Sequence, residues 1–515
     1  MSQLRLEGMA EPFFISYSVI ERHDYNVSAS LGGVVSRSEF HRRVGLPRVL
    51  VGNYHRNNAK VGVARQVTPT TTSLHDNATG IPITIWRSLD DMYKHSTESY
   101  KAYLAVLQQQ TRTPEEEALP DFEQKRPVEM ILQPIAVNIN KTYWDDYVRK
   151  ASEVAKQFPD ILNSNVTLSA RNFMTYTYNT EGSRLAIPVT YYQLRFSASV
   201  RTDDGQDLSH TIWVENATVE QMPDIAGFSN QCKFMIENLL KLRDAPIISE
   251  AYNGPVLFEG EAVGEIFRRV FFANNRLIAS PRTVQPAGGN PQQQAQSGND
   301  FELMQGRRVM SRNITIKSIT GQEFYNGQRL NGYYPIDSEG VVPDKELMLI
   351  ENGVLRNMLN GRTPTLKFPN SNGHGRFDFS NNSWRVLPGN ILITGNETLS
   401  NQELRQKLIE TAIDEDLDYA YVIKRYFFGI NLMYRLYVAD GREELVRGAV
   451  ISDDANLRPF NRILGVSGNQ LMMSFGEAQA TMIYPDAILI EEMQITRTPN
   501  IQFNRPFIVP KPNLN

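Results

Sequence analysis

The sequence predicts an α+β fold, in which an N-terminal α+β region is followed by a large, mostly antiparallel β C-terminal domain. Three observations support this. Phe13–Tyr54 alternates β-branched and aromatic residues with polar ones and is punctuated by Gly and Pro. Helix-capping motifs precede amphipathic stretches at several places in the chain. From Ala251 onward, strand patterns and two-residue turn signals outnumber helical patterns.

The first predicted unit is an α+β domain over residues 1–118. Its strands lie within Phe13–Tyr54. Ser88, with Asp91 three residues later, predicts the start of a long helix through a capping box. Thr113 and Pro114, followed by three glutamates, predict a second helix start, because the helix dipole favours acidic residues in the first turn.

The second predicted unit, residues 119–245, is a helix followed by a meander of strands. The helix is expected near Trp144–Phe158, and the turns of the meander at Asn179–Ser183 and Asp203–Gly205. A further helix is predicted over Phe228–Leu242. The third unit, residues 246–515, is β-rich.

The β-rich unit carries local signals that fix several of its turns. Asn352-Gly353 and Asp440-Gly441 each predict a β-hairpin. Ser400 with Glu403 predicts the capping box of the one clear helix after residue 300. The stretch Ser280–Asp300 has almost no apolar residues, so it is predicted to be a mobile loop.

Composition excludes several classes of function. The hydrophobic content of 41% and charged content of 21% are those of a soluble globular protein. The net charge of −4 shows no excess of positive charge of the kind that binds nucleic acid. The single cysteine, Cys232, excludes intrachain disulfides and zinc ribbons. No stretch has the ~20 apolar residues of a membrane span, and no signal-peptide pattern is visible. The compartment stays open: cytoplasmic, or exported if an upstream segment is missing.

The stretch Glu261–Ala273 predicts an amphipathic helix with a charged face. Its apolar residues cover one half of the circumference, while Glu265, Arg268 and Arg269 lie on the other. Glu265 and Arg269 have the spacing of an i,i+4 ion pair. From the residues alone, this helix packs on a core and exposes its charges to solvent.

Four stretches together resemble one protein family. They are "GPVLFEGEAVGEIF" (Gly254–Phe267), the loop and hairpin of Phe324–Pro364, "SNGHGR" (Ser371–Arg376) and "DGREELVRGAVI" (Asp440–Ile451). In this order they resemble the TldD/TldE (PmbA) metalloprotease family, in particular a long-form branch of it. The resemblance implies a TldD/PmbA-like fold, with the protease cleft in the C-terminal domain.

The resemblance also implies what this chain has lost. Active members carry an HExxxH sequence on the helix and a cysteine near the C-terminus, which together hold zinc. In the alignment that the resemblance suggests, the two histidine positions fall on Arg268 and Ala273, the glutamate position on Arg269 and the cysteine position near Ser467. A guanidinium has no lone pair to donate and stays charged. We therefore expect no zinc, no other cofactor and no catalytic residue of the family type.

The histidines offer no replacement metal site, because their spacing resembles no metal-ligand pattern. They are His23, His41, His55, His75, His95, His210 and His374. His374 has two interpretations: an exposed loop histidine hydrogen-bonded to backbone, or a residue that contacts peptide. The candidate peptide-binding residues are Arg268, Arg269, Asn372, His374 and Arg376.

Three functions remain open at this stage. The first is a non-catalytic TldD/TldE-like protein, the TldE/PmbA-type partner subunit of a metallopeptidase complex that encloses unfolded peptides. It would form a dimer, with itself or with an HExxxH-bearing relative. The second is a peptide- or glycan-binding protein that acts alone as a homodimer. The third is a peptidase that uses unfamiliar residues, for which Ser467, Tyr333, Tyr334 and His374 would be the material.

Overall fold

The computed structural model describes most of the chain. The described residues are 4, 7–60, 69–76, 78–109, 111–135, 139–280, 300–378, 383–426, 430–452, 456–475, 479–499 and 501–503. The predicted mobile loop Ser280–Asp300 lies almost wholly outside them. None of the described helices is long and apolar enough to cross a membrane.

The N-terminal part is built on one seven-stranded sheet with the order β3-β2-β1-β5-β6-β4, in which β7 also pairs with β6. Its strands are β1 (Pro12–Ser30), β2 (Gly33–Val51), β3 (Thr70–Thr72), β4 (Glu129–Ile131), β5 (Asn163–Asn179), β6 (Arg184–Arg201) and β7 (Asp207–Asn216). The long hairpin of β1 and β2 turns at Leu31 and Gly32, both with positive φ. Such a turn matches the twist of the flanking strands.

Helices cover parts of this sheet. They are α1 (Gly80–Leu107), α2 (Pro114–Ala118), α3 (Lys141–Ser152) and α4 (Ile225–Asp244). Helices α3 and α4 bury Trp144, Tyr147, Phe228 and Leu239 against Val166 and Phe196 of the strands. Apolar burial of this kind stabilises by about 25 cal/mol per Å² removed from water, so it holds the helices to the sheet.

The start of α1 differs from the prediction. The helix begins at Gly80, so Ser88 lies inside it, and the predicted capping box at Ser88 is wrong. The Ser88 hydroxyl instead donates to the Ile85 carbonyl at 2.9 Å, the usual way in which a serine is accommodated within a helix. The capping boxes predicted at Thr113 and Ser400 are both present.

The C-terminal part contains two large sheets. One has six strands in the order β13-β12-β9-β16-β23-β22, and the other has the order β19-β18-β17-β8-β24-β20, with β21 also on β24. Two small hairpins, β10-β11 and β14-β15, complete it. The strands are β8 (Tyr252–Glu259), β9 (Ile314–Ser318), β10 (Phe324–Tyr325), β11 (Gln328–Arg329), β12 (Leu347–Glu351), β13 (Val354–Leu355), β14 (Gly375–Asp378), β15 (Ser383–Val386), β16 (Asn390–Gly395), β17 (Tyr419–Arg425), β18 (Leu432–Tyr437), β19 (Glu443–Val446), β20 (Ala449–Ile451), β21 (Ile463–Val466), β22 (Gln470–Phe475), β23 (Ala480–Pro485) and β24 (Ala487–Arg497).

Two helices accompany these sheets. Helix α5 (Glu261–Phe267) follows β8 directly and packs in one core with residues of both sheets, for example Ile316 and Ile488. Helix α6 (Asn401–Asp414) covers the other face of the sheet that contains β8. The hairpin turn predicted at Asn352-Gly353 is confirmed by positive φ at both residues.

The α+β class is confirmed, with mostly antiparallel pairing in the C-terminal part. Strands from residues 1–118 and 119–245 share one sheet, because β1 pairs with β5 along most of its length. The second predicted boundary follows the end of α4 at Asp244. The division into three domains stays a prediction.

Candidate functional site

A cleft lies where the N-terminal sheet meets the C-terminal part. One side is formed by β7, through Trp213 and Glu215, and the other by β22 and α5. The cavity has a volume of about 420 Å³ and continues into a second hollow past Arg268. Strand β7 lies at an edge of the N-terminal sheet and β22 at an edge of the six-stranded sheet, so the cleft runs between two sheet edges.

Glu265 is the central charged residue of the cleft wall. Its side chain is only 9% exposed, and Oε2 accepts from Arg268 Nε at 3.0 Å. Burial raises the pKa of Glu265, and the nearby guanidinium of Arg268 offsets this only in part. The expected i,i+4 pair with Arg269 is thus replaced by an i,i+3 pair. The α-helix ends at Phe267 and a π-helical turn runs over Arg268–Ala273, which changes the angular position of these side chains.

A second ion pair lies at the mouth of the cleft. Arg425, the last residue of β17, donates to Glu261 Oε2 at 2.5 Å and to the Thr211 carbonyl at 3.2 Å. The Arg425 side chain is 15% exposed and that of Glu261 is 61% exposed. The same arginine therefore joins the start of α5 to the edge strand β7.

Glycine at position 264 allows α5 to approach the cleft wall closely. A Cβ on Gly264 would lie 2.5 Å from Met473 Sδ and 2.6 Å from Tyr484 Cε1. Gly260, at the N-cap of α5, has φ +62° and ψ −134°, a backbone conformation that is essentially restricted to glycine. These two glycines fix how the helix leaves β8 and enters the core.

His374 and Asn372 lie in a buried polar network and not in the cleft lining. His374 is 1% exposed, so the expectation of an exposed loop histidine is wrong. Its Nε2 lies 3.1 Å from Ser318 Oγ, and its Nδ1 lies 2.9 Å from Asn372 Oδ1. Burial lowers the pKa of His374 to about 3, so the ring is neutral at ordinary pH. A peptide contact by either residue stays a prediction.

Arg376 is also held by the protein. Its guanidinium donates to the Gln479 carbonyl at 2.9 Å and lies 4.5 Å from the centroid of the Tyr334 ring. Tyr334 in turn packs edge-on to His374. Two members of the third hypothesis, Tyr334 and His374, are therefore neighbours, but both are buried.

The three positions proposed as degenerate metal ligands do not converge. Ser467 is buried, and its Oγ donates to Asp486 Oδ1, while the Asp486 carbonyl accepts from Gly260 N at 2.8 Å. Ser467 therefore lies beside the start of α5. Arg268 is eight residues further along the helix, about 12 Å at 1.5 Å per residue, and Ala273 is further still. Ligands of one metal lie within a few ångström of each other, so this assignment does not describe one site.

A register that begins eight residues earlier places its first position beside Ser467. A motif that began at Gly260 would have its glutamate at Glu261 and its two histidine positions at Gly260 and Glu265, with Ser467 beside the first of them.

Sequence reasoning missed the residues that other elements bring to the cleft. Trp213 and Glu215 come from β7, Arg425 from β17 and Met473 from β22. No local motif marks them, because they meet only when the N-terminal sheet packs on the C-terminal part. Arg268 is among the residues that line the second hollow, and Arg269 is not among the described lining. Peptide binding by either arginine stays a prediction.

The comparisons with known proteins agree with this architecture. A sequence model of the PmbA/TldA metallopeptidase C-terminal domain matches residues 251–497. No curated protein sequence matches the chain. The chain is thus of the class that carries a metallopeptidase-type C-terminal domain. The match to this domain model supports a relation of the C-terminal part to the TldD/TldE (PmbA) family.

Solved structures share the fold over nearly the whole chain. A candidate modulator of DNA gyrase from Thermotoga maritima has a TM-score of 0.56 and 16% identity, over 94% of this chain and 96% of that one. TldE from Thermococcus kodakarensis has a TM-score of 0.55 and 12% sequence identity, over 94% of this chain and 97% of that one. A candidate modulator of DNA gyrase from Bacteroides thetaiotaomicron has a TM-score of 0.56 and 9% sequence identity, over 94% of this chain and 95% of that one. At these identities the likeness shows the fold alone.

The donors at the start of α5 do not fit the zinc of the family's active members. Gly260 has no side chain, and Ser467 offers a hydroxyl that is already engaged with Asp486. Glu261 and Glu265 are carboxylates held by arginines. Zinc sites in proteins use thiolate, imidazole and carboxylate ligands around a shared centre. Among the described residues, no group of three or more His, Cys, Asp or Glu has a geometry that could hold a metal ion.

Proposed function

We propose that this chain is a non-catalytic member of the TldD/TldE family that binds peptide in the cleft and acts as the TldE-type partner subunit of a metallopeptidase. The observation that carries the proposal is the pair of guanidiniums, Arg268 and Arg425, bound to Glu265 and Glu261. Part of this proposal is that the family motif would begin at Gly260, so that Glu265 takes one of the metal positions and Glu261 the position of the glutamate. A guanidinium gives them the positive charge that a metal ion would otherwise supply, and it cannot activate water.

The shape of the cleft supports a peptide as ligand. The cavity is bounded by edge strands on two sides and lined by Trp213, Met473 and Phe475 along with charged groups. Aromatic and thioether side chains supply sequence-tolerant apolar contact, and an arginine on the wall is suited to a carboxylate. Arg268, with 14% of its side chain exposed, is the residue that we expect to hold the C-terminal carboxylate of a bound peptide.

Peptide binding is tested by fluorescence polarisation with labelled unstructured peptides that carry either a free or an amidated C-terminus. The full chain should prefer the free acid. Arg268→Met should remove that preference, whereas the control Arg269→Met, one residue further along and absent from the described lining, should keep it. Equal binding of acid and amide by the native protein would overturn the role of Arg268.

The partner role is tested by affinity purification from the native cell. Recovery of an HExxxH-bearing relative in a stoichiometric complex supports it, and the likeness to the Thermococcus TldE fold is the reason to expect it. Recovery of the chain without such a relative, with peptide or glycan bound in the cleft, would replace this proposal by that of an independent binding protein.

The third hypothesis, a peptidase with unfamiliar residues, gains no support from the geometry. The hydroxyl groups that meet His374 are those of Ser318 and Thr320, which are 1% and 0% exposed. A nucleophile must reach its substrate, and these hydroxyls do not. Ser467 is likewise buried and bonded to Asp486.

A further inference from the structure

The second hollow of the cleft contains a cation that the proposed function leaves unused. Arg195 lies on β6, directly opposite Trp213 of the edge strand β7. The residue is exposed, and it lines the same hollow of about 610 Å³ as Arg268. Ligand sites in proteins have volumes of about 300–1,000 Å³, so this hollow has room for the end of a peptide.

The nearest acid on the neighbouring strand is turned away from Arg195. Glu215 of β7 lies opposite Gln193, which places it diagonally from Arg195. Its Oε1 accepts from Gln193 Nε2 at 2.6 Å and from the Tyr191 hydroxyl at 3.0 Å. Tyr191 and Arg195 share one face of β6 but lie on opposite sides of Gln193. The two hydrogen bonds therefore draw the Glu215 carboxylate away from Arg195.

The other acid in the lining of this hollow is also engaged. Glu265 accepts from Arg268 Nε at 3.0 Å. On its other side, Arg195 faces Thr167 of β5, which carries no charge. Among the described residues, none forms an ion pair or a hydrogen bond with the Arg195 guanidinium. Arg195 thus brings a positive charge to the hollow that no described acid neutralises directly.

Hydration alone is the ordinary explanation for an exposed arginine. It accounts for Arg184, which is exposed at the first position of the same strand and is absent from the described lining of both hollows. Arg195 has a different setting, because a second guanidinium and an indole line the same hollow. Guanidiniums in a confined space favour carboxylate ligands, which they bind through two parallel hydrogen bonds.

We propose that Arg195 selects peptides that carry an acidic side chain at one of their last two residues. The inference rests on the proposed function, in which Arg268 holds the C-terminal carboxylate, and it names the class of peptide that the cleft takes. A side-chain carboxylate so close to the end of the peptide stays within the hollow that both arginines line. Trp213 and Met473, from the same lining, contact the aliphatic part of that side chain.

A scan of glutamate positions tests the proposal. One labelled, unstructured peptide with a free C-terminus carries glutamine at each scanned position. Variants of it carry glutamate at the last residue, at the penultimate residue, or about six residues upstream, which is about 20 Å away in an extended chain. In fluorescence polarisation with the full chain, glutamate at one of the last two residues should lower the Kd about tenfold relative to glutamine. The upstream glutamate should change the Kd by less than about twofold, because solvent screens a charge outside the hollow.

Variants of the protein assign the preference to one residue. Arg195→Met should abolish the preference for glutamate. Arg195→Lys should keep part of it, because lysine retains the charge but not the planar fork of donors. The matched control is Arg184→Met, which removes the same side chain from the same strand, about 36 Å away at 3.3 Å per residue. This control should keep the full preference.

A second comparison separates this inference from the proposed function. Each peptide is also made with an amidated C-terminus. Arg195→Met should remove only the preference for glutamate over glutamine, whereas Arg268→Met should remove only the preference for the free acid over the amide. The preference that survives in each variant also shows that the cleft is still folded.

The possible outcomes are distinct. Peptide binding without a preference for terminal or penultimate glutamate would overturn this inference and leave the proposed function standing. A preference that persists in Arg195→Met, or that is equally strong for the upstream glutamate, would also overturn it. If the full chain bound none of the peptides, the proposed function would fail and this inference would fail with it.

Discussion

Two buried glutamates, each beside arginine, behave in opposite ways. Glu339 lies where the C-terminal part contacts the N-terminal sheet, and Glu265 lies in the cleft. Burial raises the pKa of both, but at Glu339 the charges of Arg48 and Arg362 and a backbone N–H outweigh it, and the pKa falls below its usual value. At Glu265 burial outweighs the charges of Arg268 and Arg425, and the pKa is raised.

The difference separates a structural charge from a functional candidate. Glu339 accepts from Arg48 Nη1 at 2.5 Å and from the Arg362 backbone N–H at 2.7 Å, so its ionised form is fully satisfied. Such a group stabilises the contact between the two parts. Because burial raises the pKa of Glu265, ionising its side chain costs free energy. Residues with perturbed pKa values concentrate at binding and catalytic sites. The comparison teaches that burial of a charge indicates function only when the surrounding partners fail to satisfy it.

The largest effect is expected from removing the central cation of the structural cluster. Arg362 is fully buried, donates to Glu181 at 2.5 Å and to the Glu123 carbonyl at 2.6 Å, and lies 4.3 Å from the Phe122 ring centroid. Arg362→Met leaves buried acceptors unpaired, so the free energy of unfolding should fall by about 3–5 kcal/mol. Urea denaturation followed by circular dichroism measures it.

An exposed ion pair supplies the control for this measurement. Arg356 bonds Glu351 at 2.9 Å, and both side chains are nearly half exposed. Arg356→Met should cost no more than about 1 kcal/mol, because solvent screens such pairs. Similar losses in the two variants would remove the structural role that we assign to the Arg362 cluster.

Overpacking of the cleft wall is expected to have the next largest effect. Gly264→Ala places a methyl group against Met473 and Tyr484, at distances that real Cβ atoms do not show. The free energy of unfolding should fall by about 1–3 kcal/mol. Gly33→Ala is the control, since its Cβ would meet only the Ser30 carbonyl at 3.6 Å. A neutral Gly264→Ala would show that α5 can withdraw from β22 and β23.

The pH dependence of stability should have opposite signs at the two glutamates. The lowered pKa of Glu339 means that its contribution is present above the unfolded pKa of about 4.3 and is lost as pH falls through the folded pKa. The cost of Glu339→Gln should therefore grow as the pH rises through the folded pKa, and it should level off above about pH 4.3.

At Glu265 the sign is reversed. Its raised pKa means that its contribution is present below about pH 4.3 and is lost as pH rises through the folded pKa. Glu265→Gln should thus become more stable relative to the native protein as the pH rises. Urea denaturation of both variants from pH 3.5 to 7.5 measures the two slopes. Parallel slopes would contradict the contrast between the two sites.

The smallest effect is expected at the mouth of the cleft. Glu261 is 61% exposed although it bonds Arg425 at 2.5 Å. Glu261→Gln should change the free energy of unfolding by less than about 1 kcal/mol, as is usual for exposed pairs. A thermal melt alongside the Glu265→Gln variant measures it. A loss of several kcal/mol would mean that Arg425 depends on Glu261 to join α5 to β7.

Local chemistry made much of the fold predictable. The turn at Asn352-Gly353 and the cap at Ser400 depend on residues within a few positions of each other, and both are confirmed. Ser88 shows the limit of such signals, because a serine that bonds back to its own helix resembles a cap in sequence. Whether a capping motif begins a helix depends on whether the residues before it are already helical.

The site could be predicted only in part. The α5 region was found from its resemblance to a family helix, and Arg268 does line the cleft. The register of the motif, the burial of His374 and the role of Arg425 depend on contacts between residues far apart in sequence. Such contacts leave no periodicity or spacing that a single sequence reveals.

The most direct test of the central claim is the zinc content of the native protein, purified without chelators, together with its hydrolysis of unfolded peptides. Two carboxylates held by guanidiniums at the start of α5 predict zinc well below one equivalent and no hydrolysis by the isolated chain. One zinc per chain that is lost in the Glu265→Gln variant, together with peptide hydrolysis, would contradict the account.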